Sequence, residues 1–169
     1  MLYTNYKATK FILKVLLLPA LVLLLNSCDK NRVFEKNKEI KGYSWASDNK
    51  ASFTVDITDT TKLYNIYVNV RHVDYYQFSN IWLITRTTFP DGKKMQQRLE
   101  IPLATDEGRW YGEGMGDIWD KSYLIQQGAH FSKRGNYIFE LEQNMRKDPL
   151  PGIMAIGLRV ENTNIPQSK

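Results

Sequence analysis

The chain has 169 residues, of which 43% are hydrophobic and 24% charged, and it carries a net charge of +5. That length suits one domain with its own hydrophobic core. A single cysteine excludes an intramolecular disulfide framework, and basic residues scattered among acidic ones, with no arginine stripe, argue against a nucleic-acid partner.

The first element is a signal. Lys7, Lys10 and Lys14 precede an apolar run from Val15 to Leu25, which ends at Asn26, Ser27 and Cys28. A basic start, a short apolar stretch and small residues before a cut site describe an export signal. A membrane-spanning helix needs roughly 20 apolar residues. Residues 11–25 are fewer, and Lys14 and Pro19 interrupt them. Leu25 and Ser27 fit the positions that precede a bacterial lipoprotein cysteine, while Asn26 is larger than usual there. Residues 1–27 are therefore read as a cleaved lipoprotein signal peptide and Cys28 as the lipidation site. The expected modification is a diacylglycerol on the thiol and an N-acyl chain on the new amino group. Several acyl chains hold where one is marginal. No other cofactor is expected, and the expected partner of this end is the membrane. Removing residues 1–27 leaves 142 residues and, with three lysines gone, lowers the net charge to +2.

Residues 28–41 are rich in Lys, Glu and Asn and read as a solvated tether, with Val33, Phe34 and Ile40 able to dock. Residues 42–161 read as the folded domain. There the apolar period is two: Phe53, Val55 and Ile57, then Tyr64, Ile66, Val68 and Val70. A β-rich run over 81–89 meets the turn Pro90-Asp91-Gly92-Lys93, and Met95, Gln97, Leu99 and Ile101 alternate beyond it, which is a hairpin signal. Further strands are expected over 109–112, 137–142 and 153–160, and a helical turn or two over 119–127. Residues 162–169 read as a flexible tail. The expectation is an all-β fold, an antiparallel two-sheet β-sandwich of jelly-roll-like form.

Two segments stand out for recognition. In 108–120, Gly112, Gly114 and Gly116 alternate beside Trp110, Tyr111 and Trp119. The spacing is not that of a phosphate loop. It reads as a kinked strand with core tryptophans, as a partner surface, as a sugar-stacking face, or as a cation site with Glu113, Asp117 and Asp120. In 71–80, Tyr75, Tyr76 and Phe78 sit in a loop, which reads either as Phe78 and one tyrosine plugging the sandwich end or as an aromatic patch that contacts another protein. Tyr75, Tyr76, Phe78, Trp110 and Trp119 are the candidate contact residues. No catalytic residue is assigned: a carboxylate pair such as Glu113 and Asp117 lacks a defined separation, and no nucleophile elbow occurs. No metal site is assigned either, since His72 and His130 lack ligand spacing to a companion.

Several segments, in order along the chain, resemble the gliding-motility lipoprotein GldH family of Bacteroidota. They are Cys28-Asp29 with Asn31-Arg32-Val33-Phe34, residues 64–71, Phe78-Ser79-Asn80-Ile81-Trp82-Leu83, Phe89-Pro90-Asp91-Gly92, Gly108-Arg109-Trp110, residues 114–120, Gln143-Asn144-Met145-Arg146 and Gly157-Leu158-Arg159-Val160-Glu161. The resemblance implies a non-enzymatic assembly or scaffold component of the cell envelope, associated with gliding and its linked protein secretion. It implies other envelope proteins of that machinery as partners and an outer-membrane location. Asp29 beside the cysteine marks inner-membrane retention in some other bacteria, a rule not carried over here. The competing expectation is a glycan-binding envelope lipoprotein that uses the aromatic residues of 108–120.

Overall fold

The computed structural model describes residues 31–166, with side chains as far as Thr163. The signal segment and Cys28 lie outside the described residues. The described residues form eleven strands: β1 (Arg32–Glu39), β2 (Ser44–Trp45), β3 (Ala51–Ile57), β4 (Lys62–Val73), β5 (Asn80–Thr88), β6 (Lys94–Pro102), β7 (Glu113–Met115), β8 (Ile118–His130), β9 (Gly135–Gln143), β10 (Leu150–Pro151) and β11 (Ile153–Pro166). All pairings are antiparallel. One sheet runs β1-β11-β4-β8-β7 and the other β3-β9-β5-β6, with β10-β2 as a small third pair. The fold is the antiparallel β-sandwich that the period-two pattern predicts.

Register explains the core. β3 alternates buried and exposed at every residue. It sets Phe53 against Phe139 and Val55 against Tyr137. In the other sheet, Ile156, Leu158 and Val160 pair with Val70, Val68 and Ile66. These side chains belong to a single buried cluster drawn from both sheets. Each fully buried aliphatic or aromatic side chain contributes about 1.5–3 kcal/mol.

Four readings of the sequence need correction. The segment expected to be helical over 119–127 is part of β8. Its inward stripe includes Lys121, whose ammonium lies over the rings of Tyr111 and Tyr123 at 4.7 and 5.2 Å. Its outward stripe includes Leu124, so polar and apolar residues fall on both faces and hide the period. Register shifts opposite Ile66 and a positive φ of 63° at Gly128 mark bulges that break the count further. Second, most of the expected tether is β1, which pairs along β11 from Arg32 to Glu39 and is followed by the buried Ile40. Third, the expected strand at 109–112 reduces to a single bridge between Ala104 and Trp110. Fourth, the expected tail continues β11 as far as Pro166, which pairs with Lys62.

β1 is fastened by a row of polar groups across the outer face of the five-stranded sheet. Asn37, Gly157, Asn69 and Ser122 are successive neighbours on β1, β11, β4 and β8. Gly157 has no side chain, so Asn37 reaches over it to accept a hydrogen bond from Asn69 at 3.0 Å. Asn69 also donates to Glu35 at 3.0 Å and accepts from the Ser122 hydroxyl at 2.7 Å. A Cβ on Gly157 would overlap the Asn37 side chain and stand 2.7 Å from the Lys36 carbonyl oxygen. The buried Asn69 is thus fully engaged, as burial of an amide demands.

Candidate functional site

The two aromatic segments meet at one end of the sandwich. The Asp74 amide donates to the Asp117 carbonyl at 2.8 Å, joining the loop after β4 to the β7–β8 turn. Beneath this junction the His72 ring packs edge-on to Trp110 with centroids 4.6 Å apart. Tyr76 packs against both His72 and Phe78 at 5.7 and 5.6 Å. The Tyr76 hydroxyl donates to the Asn80 carbonyl at 2.9 Å, and burial raises its pKa. Tyr76 is buried, and Phe78 and Trp110 are packed against the core, so they plug the sandwich end rather than line its surface. Trp119 is half-buried and fills the space above Gly114, where a Cβ would stand 2.9 Å from its ring.

Of the five candidate contact residues, Tyr75 alone is strongly exposed, at 65%. Sequence reasoning missed its neighbours Met115 and Ile118, exposed at 85% and 36%. A signal was available: two large apolar residues flank a Gly-Asp turn, in a two-stranded hairpin end too narrow to have an inside. Met115 and Ile118 line a groove of about 440 Å³ with Arg71, Glu113, Asp120 and Met154. Arg71 Nε donates to Asp120 at 2.8 Å and clasps it. Glu113 lies directly across from Asp120 on the paired strand, while Asp117 sits exposed in the turn. Among the described residues no group of His, Cys, Asp or Glu is arranged to hold a metal ion. His130 is exposed and pairs with Leu63 at the far end of β8. Trp45 is buried, and the Trp82 ring is covered by the Arg98 guanidinium at 4.0 Å. Among the described residues no two tryptophans form a flat exposed platform.

His72 is a buried imidazole whose Nε2 has no hydrogen-bond partner, while Nδ1 lies 3.0 Å from the Val73 carbonyl. Burial holds its pKa below the ordinary 6.5, against the Val73 carbonyl, Asp120 and Asp74, which raise it. Below about pH 6.5 the unfolded chain binds a proton that the folded chain resists, so stability falls as pH falls. Urea midpoints measured from pH 7.5 to 5 are expected to decline, and His72→Phe is expected to flatten that part of the profile. An unchanged slope in the variant would remove His72 as its source.

The chain enters β1 at the opposite end. Arg32 pairs with Glu161, which pairs with Asn65, near the start of β4. Val73, at the tip, is eight residues further along β4, or about 26 Å at ~3.3 Å per residue.

These features define an antiparallel β-sandwich with an aromatic plug and an exposed apolar tip at one end and the chain's point of entry at the other. The GldH lipoprotein family model matches residues 32–160. The chain is 33% identical over 150 residues to the gliding motility lipoprotein GldH homolog of Christiangramia forsetii, covering 85% of this chain and 91% of that protein. It is 34% identical over 154 residues to the gliding motility lipoprotein GldH of Flavobacterium johnsoniae, covering 87% and 94%. The chain belongs to the GldH lipoprotein family.

Proposed function

We propose that this lipoprotein is a non-enzymatic assembly component of the envelope, outer-membrane anchored through Cys28, that holds a partner protein at the tip formed by Tyr75, Met115 and Ile118. The observation that carries the reading is the exposure of these three large apolar side chains at the end remote from Asn31. Large apolar side chains left exposed on two segments that the Asp74–Asp117 hydrogen bond joins suit a contact surface. The Tyr76, Phe78, His72 and Trp110 cluster behind it gives that surface a rigid floor. Cys28 precedes Asn31 by three residues, at most about 10 Å of chain, so acyl chains there hold the Asn31 end close to the bilayer. The partner belongs to the gliding or linked secretion machinery, as the names of the relatives point to gliding.

The glycan reading draws no support from the tryptophans, since Trp110 belongs to the plug and Trp119 is covered by the β7 backbone at Gly114. The partner reading is tested by placing a photocrosslinking amino acid at Met115 in intact cells, with Ile138, exposed on β9, as the control position. A discrete adduct with an envelope protein is expected from position 115 and not from 138. Equal labelling from both positions, or adducts from neither, would count against the tip.

A further inference from the structure

β6 forms an outer edge of the four-stranded sheet, and among the described residues no strand pairs with its far side. It runs nine residues along β5 without a register shift. The Phe89 amide donates to the Lys93 carbonyl at 2.8 Å, and the Leu103 amide to the Ser79 carbonyl at 2.7 Å. Antiparallel pairs alternate between bonded and non-bonded, so the odd residues Met95 to Ile101 bond inward to β5. The amides and carbonyls of Lys94, Gln96, Arg98 and Glu100 therefore point outward.

Such an edge is a template for another strand, and proteins commonly blunt it with bulges, prolines or projecting charges. Here Pro102 ends the strand, but no bulge interrupts it, and the outer-face side chains lie back over their own sheet. Gln96 accepts from Arg86 at 2.9 Å, the Arg98 guanidinium stacks on Trp82, and Glu100 accepts from Asn80. On the other face Met95 is 48% exposed. Further along the strand a groove of about 300 Å³ opens between the sheets, lined by Leu99, Ile101, Tyr123 and Ile125 among others. The Tyr123 hydroxyl is buried there without a partner.

We infer that β6 pairs antiparallel with β6 of a second copy of this chain, about a two-fold axis through Gln97 and normal to the sheet. The charges select this register. Lys94 falls opposite Glu100 on both sides of the axis, Gln96 opposite Arg98, and Met95 opposite Leu99. The adjacent allowed registers set Lys94 against Arg98 or Arg98 against itself, and like charges directly opposite destabilise a pair. The pairing satisfies the outward groups with about eight backbone hydrogen bonds and makes the self-complementary interface that two-fold symmetry requires. Both Asn31 ends lie at one height along the axis, so a single surface across it can meet both chains, with the two tips projecting to opposite sides.

The central Gln97 pair is of the non-bonded kind, with Cα atoms about 4.5 Å apart, which a disulfide can span. The test uses the full chain in native membranes, oxidised with copper phenanthroline and resolved on a non-reducing gel. Gln97→Cys is expected to give a covalent dimer, with wild type reporting any contribution from Cys28. Adding Glu100→Lys is expected to weaken the dimer about tenfold, because two attractive pairs become repulsive. Adding Lys94→Glu to that chain restores it. A Gln97→Cys dimer yield no higher than that of Ile138→Cys overturns the pairing, as does failure of the charge swap to restore it. Crosslinking of the Gln97→Cys chain to a different protein replaces self-pairing with a foreign strand at the same edge, and overturns the inference as stated.

Discussion

A chain in which a conventional cleavable signal replaces residues 1–27 and Cys28 is changed to alanine is expected to appear in the soluble fraction, folded, while the wild type sediments with membranes. The substitution removes the only thiol in the sequence. Each buried CH₂ of an acyl chain contributes about 0.8 kcal/mol to membrane binding, so the two or three chains proposed for Cys28 would make release negligible, and losing them would be the largest single change available to this molecule. The exchanged signal matters. An unprocessed signal would itself hold a Cys28→Ala chain at the membrane and hide the effect. Metabolic labelling with an alkynyl fatty acid should mark the wild type and leave the variant unlabelled. A Cys28→Ala chain that remains in the membrane fraction under these conditions would show that another feature anchors it.

Trp45→Ala should cost about 3–5 kcal/mol of stability, the range for emptying a large buried aromatic site. Trp45 is fully buried. Its indole Nε1 donates to the Asn49 carbonyl at 3.0 Å, and its backbone pairs with Leu150 on β10. The same corner is tied by Ser47, which donates through its amide and hydroxyl to the Asp148 carboxylate at 2.9 and 2.6 Å. These bonds hold the Asp148 pKa below the usual carboxylate range. Gln143, also buried, donates to Asp148 at 3.1 Å and accepts from the Met145 amide at 2.9 Å. Removing the indole leaves this closely bonded frame around a void it cannot easily fill. Domains of this size hold about 5–15 kcal/mol in all, so the variant is expected to lose a large share of its urea stability. Trp45→Phe should lose clearly less. A fall below about 1 kcal/mol for alanine would mean that the corner collapses freely around the gap.

The sandwich was legible in the sequence wherever one face is purely apolar. β3 and the central part of β4 show this: on β3, Phe53, Val55 and Ile57 alternate with exposed Ser52, Thr54 and Asp56. The pattern fails where both faces of a strand are dressed alike. On β8 a charged residue, Lys121, takes an inward position with its ammonium over the rings of Tyr111 and Tyr123, and bulges shift the count. β1 escaped notice because only Phe34 and the following Ile40 reach the core, while Glu35 and Asn37 serve the polar row around Asn69. The aromatic loop was legible in kind but not in detail. That Phe78 and one tyrosine would plug the sandwich was among the readings of residues 71–80. That the plug would be Tyr76, with Trp110 arriving from a distant segment, depends on long-range packing that local spacing does not encode. Met115 and Ile118 gained their meaning only when the Asp74–Asp117 contact placed them beside Tyr75.

The proposed role needs an anchored domain whose tip holds a partner. The most direct measurement is complementation of a strain lacking this chain, scored for colony spreading and protein secretion, with a Met115→Asp, Ile118→Asp double variant. Both side chains are exposed and make no part of the core cluster, so the variant should fold, sediment with membranes and show the wild-type urea midpoint. It is predicted to restore neither spreading nor secretion. Full restoration by a variant that is folded and membrane-bound would contradict the account.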